Sequence, residues 1–304
     1  MSAQSGILPP PGRYARFLVL RQRDPDAEVL RYGLQQFAVT RHRLQTQAPE
    51  AQLSSVVAFG PDLWRRLQHD IPAGLHTLAP ISGAFEMPAV PADVLIHIHS
   101  ERFDLCFELA QALLAALGDA VEVLDERACF RFRDGRDLTG FIDGTENPQT
   151  LEERANAALI TDSEYSGGSF VFAQRYVHHL DKWHRLKVDA QEQVIGRTKL
   201  ESIELDDDSQ PKNSHVSRTI IEENGEERKI LRHSLPYGDA AGEQGLFFIA
   251  YTQDLSIIDR MLSRMFGDSG DGISDRLLNF VTPVDGAYFF APSEELLAEV
   301  VGEA

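Results

Sequence analysis

The chain has 304 residues, 43% of them hydrophobic and 25% charged, and a formal net charge of −18. That length suits one large domain or two ordinary ones with a sizeable core. The negative charge argues against nucleic acid as a partner, and no apolar run approaches the roughly 20 residues of a membrane helix.

Residues 1–12 form a Pro-rich arm without the basic and apolar regions of a secretory signal. Ala15–Arg21 is β-type. Asp24-Pro25-Asp26 marks a helix start, and Val29, Leu30, Leu34, Phe37 and Leu44 recur at helical spacing, which predicts a helix over 26–47. A strand over Ser54–Phe59 ends at Gly60-Pro61, and a short helix over 62–69 follows. Ala92–His99 is a third strand, and residues 101–117 form a Leu- and Ala-rich helix stopped by Gly118. Val121–Leu124 and Ala128–Arg133 supply further strand. Only two cysteines occur, Cys106 and Cys129, so no disulfide framework is implied and a reducing, cytoplasmic setting is expected.

The second half repeats the plan. Gly168–Arg175 is a strand and Val177–Leu186 a short helix. Residues 189–199 carry Val194-Ile-Gly-Arg-Thr198, and 201–218 are polar. Lys229–Gly238 is a strand into a turn, Gly245–Tyr251 a buried-type strand and 254–266 an amphipathic helix. Ala287–Ala291 is the last strand, before a helix over Glu294–Val301. Residues 94–117 match 246–266 in layout, and 16–44 match 170–186. The order in each half predicts two α+β domains, each with a largely antiparallel sheet and helices on one face. A parallel doubly wound fold ranks second, because no Gly-rich phosphate loop follows the first strand.

Thr139-Gly-Phe-Ile-Asp-Gly-Thr-Glu-Asn-Pro148 reads as a tight, glycine-edged loop holding one carboxylate, Asp143. Locally a turn with a capping Asp explains it equally well. His215, Arg232 and Asp275 each have a plain reading too: a solvated loop histidine, a salt-bridged arginine before a turn, and a helix N-cap. His97 and His99 alternate on a strand and so share a face, but no third ligand follows at telling spacing. His178, His179 and His184 fall on the expected short helix. Asp206–Asp208 lacks a calcium-loop pattern, and Gly267–Gly272 reads as a flexible turn. Trp64, Trp183 and Tyr251 are electron carriers by residue type only, with core packing the simpler reading.

Together the segments carry more. Gly-x-x-Asp-Gly at 140–144, extended through Thr145-Glu-Asn-Pro148, precedes Ser-His-Val-Ser-Arg around His215 and then Leu-Arg-His-Ser-Leu-Pro-Tyr-Gly at 231–238. This series resembles the dye-decolourising peroxidases, over roughly residues 14–296, and the compact length resembles their bacterial B-type branch. The resemblance implies two tandem ferredoxin-like domains, residues 1–140 and 141–304, barrel-like together, with one haem b held mainly by the second. It implies His215 as axial iron ligand and Asp275 as the carboxylate behind it. Asp143 and Arg232 would form the peroxide-binding face, with Ser234 standing where this branch often has Asn. Gly144, Arg197 and Phe248 would border the cofactor. The implied partners are hydrogen peroxide, small aromatic or dye reductants and further copies of the chain as a homo-oligomer.

The residue types suit that chemistry. Asp143 can move one proton between the two peroxide oxygens. Arg232 supplies fixed positive charge and helps keep Asp143 ionised in acid, so the expected optimum with dyes is acidic. The alternative from another class is a haem-handling protein on the same fold.

Overall fold

The computed structural model describes residues 1–302 apart from His69, Asp162 and Asp207. The end of the 62–69 helix, the middle of the Asp206–Asp208 run and the last two residues lie outside the described residues. In chain order the N-terminal half holds β1 (Tyr14–Gln22), α1 (Ala27–Gln47), β2 (Ser54–Phe59), α2 (Pro61–Gln68), β3 (Val94–Ser100), α3 (Phe103–Leu117) and β4 (Val121–Phe130). After α4 (Leu151–Ala158) come β5 (Ser169–His178), α5 (Val188–Ile195), α6 (His215–Thr219), β6 (Leu231–Arg232), β7 (Leu235–Gly238), β8 (Gln244–Thr252), α7 (Leu255–Phe266), β9 (Val281–Ala291) and α8 (Glu294–Val301).

Successive side chains of a strand face opposite ways, and here both faces are covered. In β1, Ala15 and Phe17 join one buried cluster while Leu18 and Leu20 join another. The N-terminal strands lie in the order β4-β1-β3-β2 and the C-terminal ones in the order β9-β5-β8-β7, all antiparallel. Each half is thus a ferredoxin-like sheet with its fourth, first, third and second strands side by side. Phe59 pairs with Phe290 and Cys129 with Tyr237, so the two sheets close into one barrel.

The barrel interior is largely apolar, with an ion-pair cluster of Asp125, Arg127, Arg175 and Glu243 and a group of buried imidazoles. Phe17 stacks on Phe247 at 4.2 Å and on His97 at 4.6 Å. His97, His99 and His233 are all fully buried. His97 Nδ1 lies 2.8 Å from the Tyr251 hydroxyl, and His99 Nδ1 accepts from the Gly12 N–H at 3.2 Å. Burial lowers the pKa of all three, that of His99 to about 4, so they are neutral near neutral pH.

Three local expectations change. β5 runs on to His178, and the helix expected over Val177–Leu186 shrinks to Leu180–Trp183. Val177 pairs with Gly245 on one side and Thr282 on the other, and this two-sided ladder overrides helix propensity. Residues 121–130 form one continuous strand that stops before Arg131. α4 was not expected, although Thr150 and Glu153 form a full capping box at its start.

The halves differ where it matters for function. In the first, α1 and α3 cover the sheet and pack so closely on each other that a Cβ on Gly33 would come within 2.3 Å of Leu117. In the second, α7 takes the place of α3, but among the described residues no long helix takes the place of α1. That crossover is broken into Leu180–Trp183, α5, α6 and loops. Space is left between the sheet and α7.

Candidate functional site

The space is an open cavity with about 1520 Å³ of empty space along its walls, open solvent at the mouth included. Phe172, Leu246 and Phe248 line it from the sheet and Met261, Leu262 and Met265 from α7. Of the residues singled out from the sequence, Asp143, His178, Arg197, His215, Arg232 and Phe248 line this one cavity. Gly144, Ser234 and Asp275 are not among its lining residues.

On the helix side stands His215, the first residue of α6. A helix of five residues is too short to persist alone, and this one is fastened from several directions. The Ser214 hydroxyl caps it by accepting from the Ser217 N–H. Arg218, 3% exposed, donates to the Arg264 carbonyl and to Asp271. Arg264 donates back to the Ser217 carbonyl at 2.6 Å. Asp275 is wholly buried. Its Oδ1 accepts from the Leu277 N–H at 2.8 Å, as an N-cap does, and its Oδ2 lies 2.6 Å from His215 Nδ1. With Nδ1 carrying its proton toward Asp275, Nε2 presents a lone pair, and it makes no hydrogen bond among the described residues.

On the sheet side stand Asp143 and Arg232, Oδ1 and Nη2 3.7 Å apart. Arg232 sits on β6, opposite Ala250 of β8. Asp143 comes from the glycine-edged loop, where Gly140 and Gly144 have φ of 90° and 80°, backbone that other residues avoid. The loop is braced. Its Asp143 N–H donates to the Gly135 carbonyl at 3.0 Å, and Trp183 Nε1 donates to the Thr139 carbonyl at 2.9 Å. Arg136 donates to the carbonyls of Gly140, Lys199 and Leu200.

Asn147 joins this loop to the strand. Its Nδ2 donates to the Arg232 carbonyl at 2.8 Å, and its Oδ1 accepts from the Arg232 N–H at 2.9 Å. Sequence reading gave Asn147 no role. Its only local signal is an amide before Pro148 in a loop that needs anchoring.

The remaining candidates have other surroundings. The Arg197 guanidinium faces the cavity but is committed to Glu146, Glu204 and the Ser202 carbonyl. The Ser234 hydroxyl accepts from the Ile249 N–H at 3.3 Å. Gly144 lies beside Asn147, whose Nδ2 would be 3.1 Å from an added Cβ. Trp64, Trp183 and Tyr251 are fully buried.

Fold and cavity define a class: two ferredoxin-like sheets closed into an α+β barrel, with a His–Asp pair facing an Asp–Arg pair across an apolar slot. The chain belongs to the dye-decolourising peroxidase family. The family description "Dyp-type peroxidase, N-terminal" matches residues 4–131 and "Dyp-type peroxidase, C-terminal" matches 134–296. The chain is 44% identical over 254 residues to the dye-decolorizing peroxidase of Mycobacterium tuberculosis, 82% of this chain and 76% of that one. It superimposes on a dye-decolorizing protein from V. cholerae with a TM-score of 0.93 at 43% identity, covering 98% and 99% of the two chains. A variant of DypB from Rhodococcus jostii RHA1 in complex with heme gives a TM-score of 0.89 at 40% identity, covering 97% and 98%.

The cavity fits an iron porphyrin. Such a group needs an apolar slot, an unprotonated imidazole nitrogen and cations for two carboxylates. The slot is lined by Phe, Leu and Met, His215 Nε2 has no hydrogen bond among the described residues, and the cations Arg197, Arg228, Lys229 and Arg232 line it together with Glu146 and Glu227.

Proposed function

We propose that the chain works as a haem-dependent peroxidase, using hydrogen peroxide to oxidise dyes, phenols and other one-electron donors, with His215, Asp275, Asp143 and Arg232 as its working parts. The observation that carries this reading is the His215–Asp275 bond of 2.6 Å across an apolar slot from Asp143 and Arg232. Haem bound there would supply the redox chemistry that peroxide activation needs. His215 would hold the iron through Nε2. Asp275 fixes the tautomer and makes Nε2 a stronger donor. Asp143 takes the proton from one peroxide oxygen and delivers it to the other. Arg232 orients peroxide and offsets charge on the departing oxygen. Asn147 holds Asp143 and Arg232 in one frame, while Phe248, Gly144 and Arg197 shape the border of the slot. Ser234 acts from behind, through the backbone of β8.

Haem handling without useful turnover is not favoured, because the matching relatives are named peroxidases. Arg232→Ala tests the choice: kcat/KM for peroxide should fall by about 10²-fold or more with haem still bound. Unchanged activity would favour haem handling.

A homo-oligomer and a reducing compartment belong to the same proposal. Cys106 and Cys129, both buried and unpaired, support the compartment. No helix among the described residues is long and apolar enough to cross a membrane.

A further inference from the structure

The cavity has a second polar end that the peroxide chemistry does not use. Arg232 lies opposite Ala250, which lies opposite Phe172 on β5. His178 is six residues further along β5, about 20 Å at the rise of a strand. His178 lines the cavity, as does Asp137. His178 Nδ1 lies 3.6 Å from Asp137 Oδ1, and both atoms are buried without a hydrogen-bond partner. The pair is held firmly on each side. Asp137 Oδ2 accepts from the Thr139 N–H at 3.0 Å and its hydroxyl at 2.6 Å. Thr139 is tied through its carbonyl to Trp183. His178 is locked in the ladder opposite Val281. With Nδ1 facing Asp137, Nε2 is the nitrogen left for the cavity, and it has no hydrogen bond among the described residues.

The surroundings define what this end can take. The lining cations Arg197, Arg228, Lys229 and Arg232 are each paired with a carboxylate other than Asp137, among Glu146, Glu204, Glu223, Glu227 and Asp143. Here a carboxylate stands behind the imidazole and repels anions. Phe141, Tyr176, Leu277 and Val281 supply flat apolar surface. A neutral hydroxyl on an aromatic ring matches both features.

We propose that the His178–Asp137 pair is the docking and proton-accepting site for phenolic reductants. This rests on the peroxidase reading above. The phenol ring lies on the apolar wall with its hydroxyl donating to His178 Nε2. As the phenol is oxidised, its O–H bond breaks. The proton goes to Nε2, the electron to the peroxide-oxidised cofactor, and a neutral phenoxyl radical leaves. Asp137 is a positioning residue: it orients the ring and offsets the charge that His178 gains. His178 then returns the proton to water. A donor that loses only an electron has no need of the pair.

The test compares 2,6-dimethoxyphenol with ferrocyanide, a donor that carries no proton, on haem-loaded wild type, His178→Gln and His178→Phe. Glutamine still accepts a hydrogen bond but cannot take the proton. The expected result is a fall in kcat/KM for the phenol of about 10²-fold in both variants, with ferrocyanide held within about twofold. Equilibrium difference spectra of the resting protein should show weaker phenol binding in His178→Phe than in wild type. Asp137→Asn should lower kcat for the phenol with KM unchanged. Wild type alone provides a further check, since with peroxide saturating, phenol turnover should slow more in D₂O than ferrocyanide turnover. Equal losses with both donors, or unchanged phenol kinetics with normal haem content, would overturn this site and leave the peroxidase reading intact. Failure of wild type to load haem or to react with peroxide would overturn both.

Discussion

Asn147 donates to one backbone group of Arg232 and accepts from the other, so a single amide does the work of two rungs of a β ladder. Each such bond contributes about 1 kcal/mol net. The larger consequence is geometric, because the clamp fixes where Asp143 meets Arg232. Asn147→Ala should cost about 2 kcal/mol of stability in urea denaturation and slow the reaction with peroxide by about tenfold or more, with haemin titration unchanged. A wild-type peroxide rate would show that the loop holds its place without the clamp. At this scale the sequence was readable for some residues and silent for others. Asp143, His215 and Arg232 sit in recognisable strings. Asp275 reads as an N-cap and is one, but its second oxygen reaches a histidine 60 residues away. Asn147 reaches its strand across 85 residues. No local pattern encodes either contact.

The element that presents His215 is shorter than sequence reasoning would accept as a helix. α6 stands because Ser214 caps it and because Arg218 and Arg264 tie it to α7 and its following turn. The Arg218 guanidinium beside Asp271 holds that carboxyl well below the usual range. Arg218→Met should therefore loosen haem binding as well as the fold: a loss of about 2 kcal/mol in urea denaturation, with a weaker haemin titration end point. Unchanged haem affinity would mean that His215 is placed by Asp275 alone. The turn Gly267–Gly272 reads as flexible because glycine and aspartate dominate it. Its ion pair to Arg218 gives it a fixed job. The helix expected over Val177–Leu186 failed for the opposite reason, since a strand with partners on both sides captured Val177 and His178. That same capture turns His178 toward the cavity.

Across the whole molecule, the repeated strand and helix plan was legible. Alternating apolar runs and capped helices survive the loss of sequence similarity between halves, and the match of 94–117 to 246–266 is the third strand and following helix of each sheet. What stayed hidden was the broken crossover in the second half, where α1 has no counterpart and the cavity opens instead. Closure of the barrel, made by only a few bridging residues at each seam, also leaves no local mark. Closure has a consequence for stability. His97, His99 and His233 are sealed inside with lowered pKa values, His99 to about 4. Their unfolded forms titrate near 6.5. Below that pH the unfolded chain binds protons that the folded one refuses, so stability falls as pH drops from about 6.5 toward 4, by up to about 1.4 kcal/mol per pH unit for each imidazole. Denaturation midpoints at pH 7, 5.5 and 4.5 should decline in wild type and decline less in His99→Gln. Equal slopes would mean that carboxylates, not the barrel imidazoles, set the acid limit.

The central claim is that His215 and Asp275 hold a haem whose peroxide face belongs to Asp143 and Arg232. It is tested most directly by the visible absorption spectrum of the protein with added haemin, for wild type and His215→Ala, before and after one equivalent of hydrogen peroxide. The account predicts a sharp Soret band in wild type that peroxide shifts at once and a reducing dye restores, and a band altered or lost in His215→Ala. A normal Soret band in His215→Ala, or no spectral response to peroxide in wild type, would contradict it.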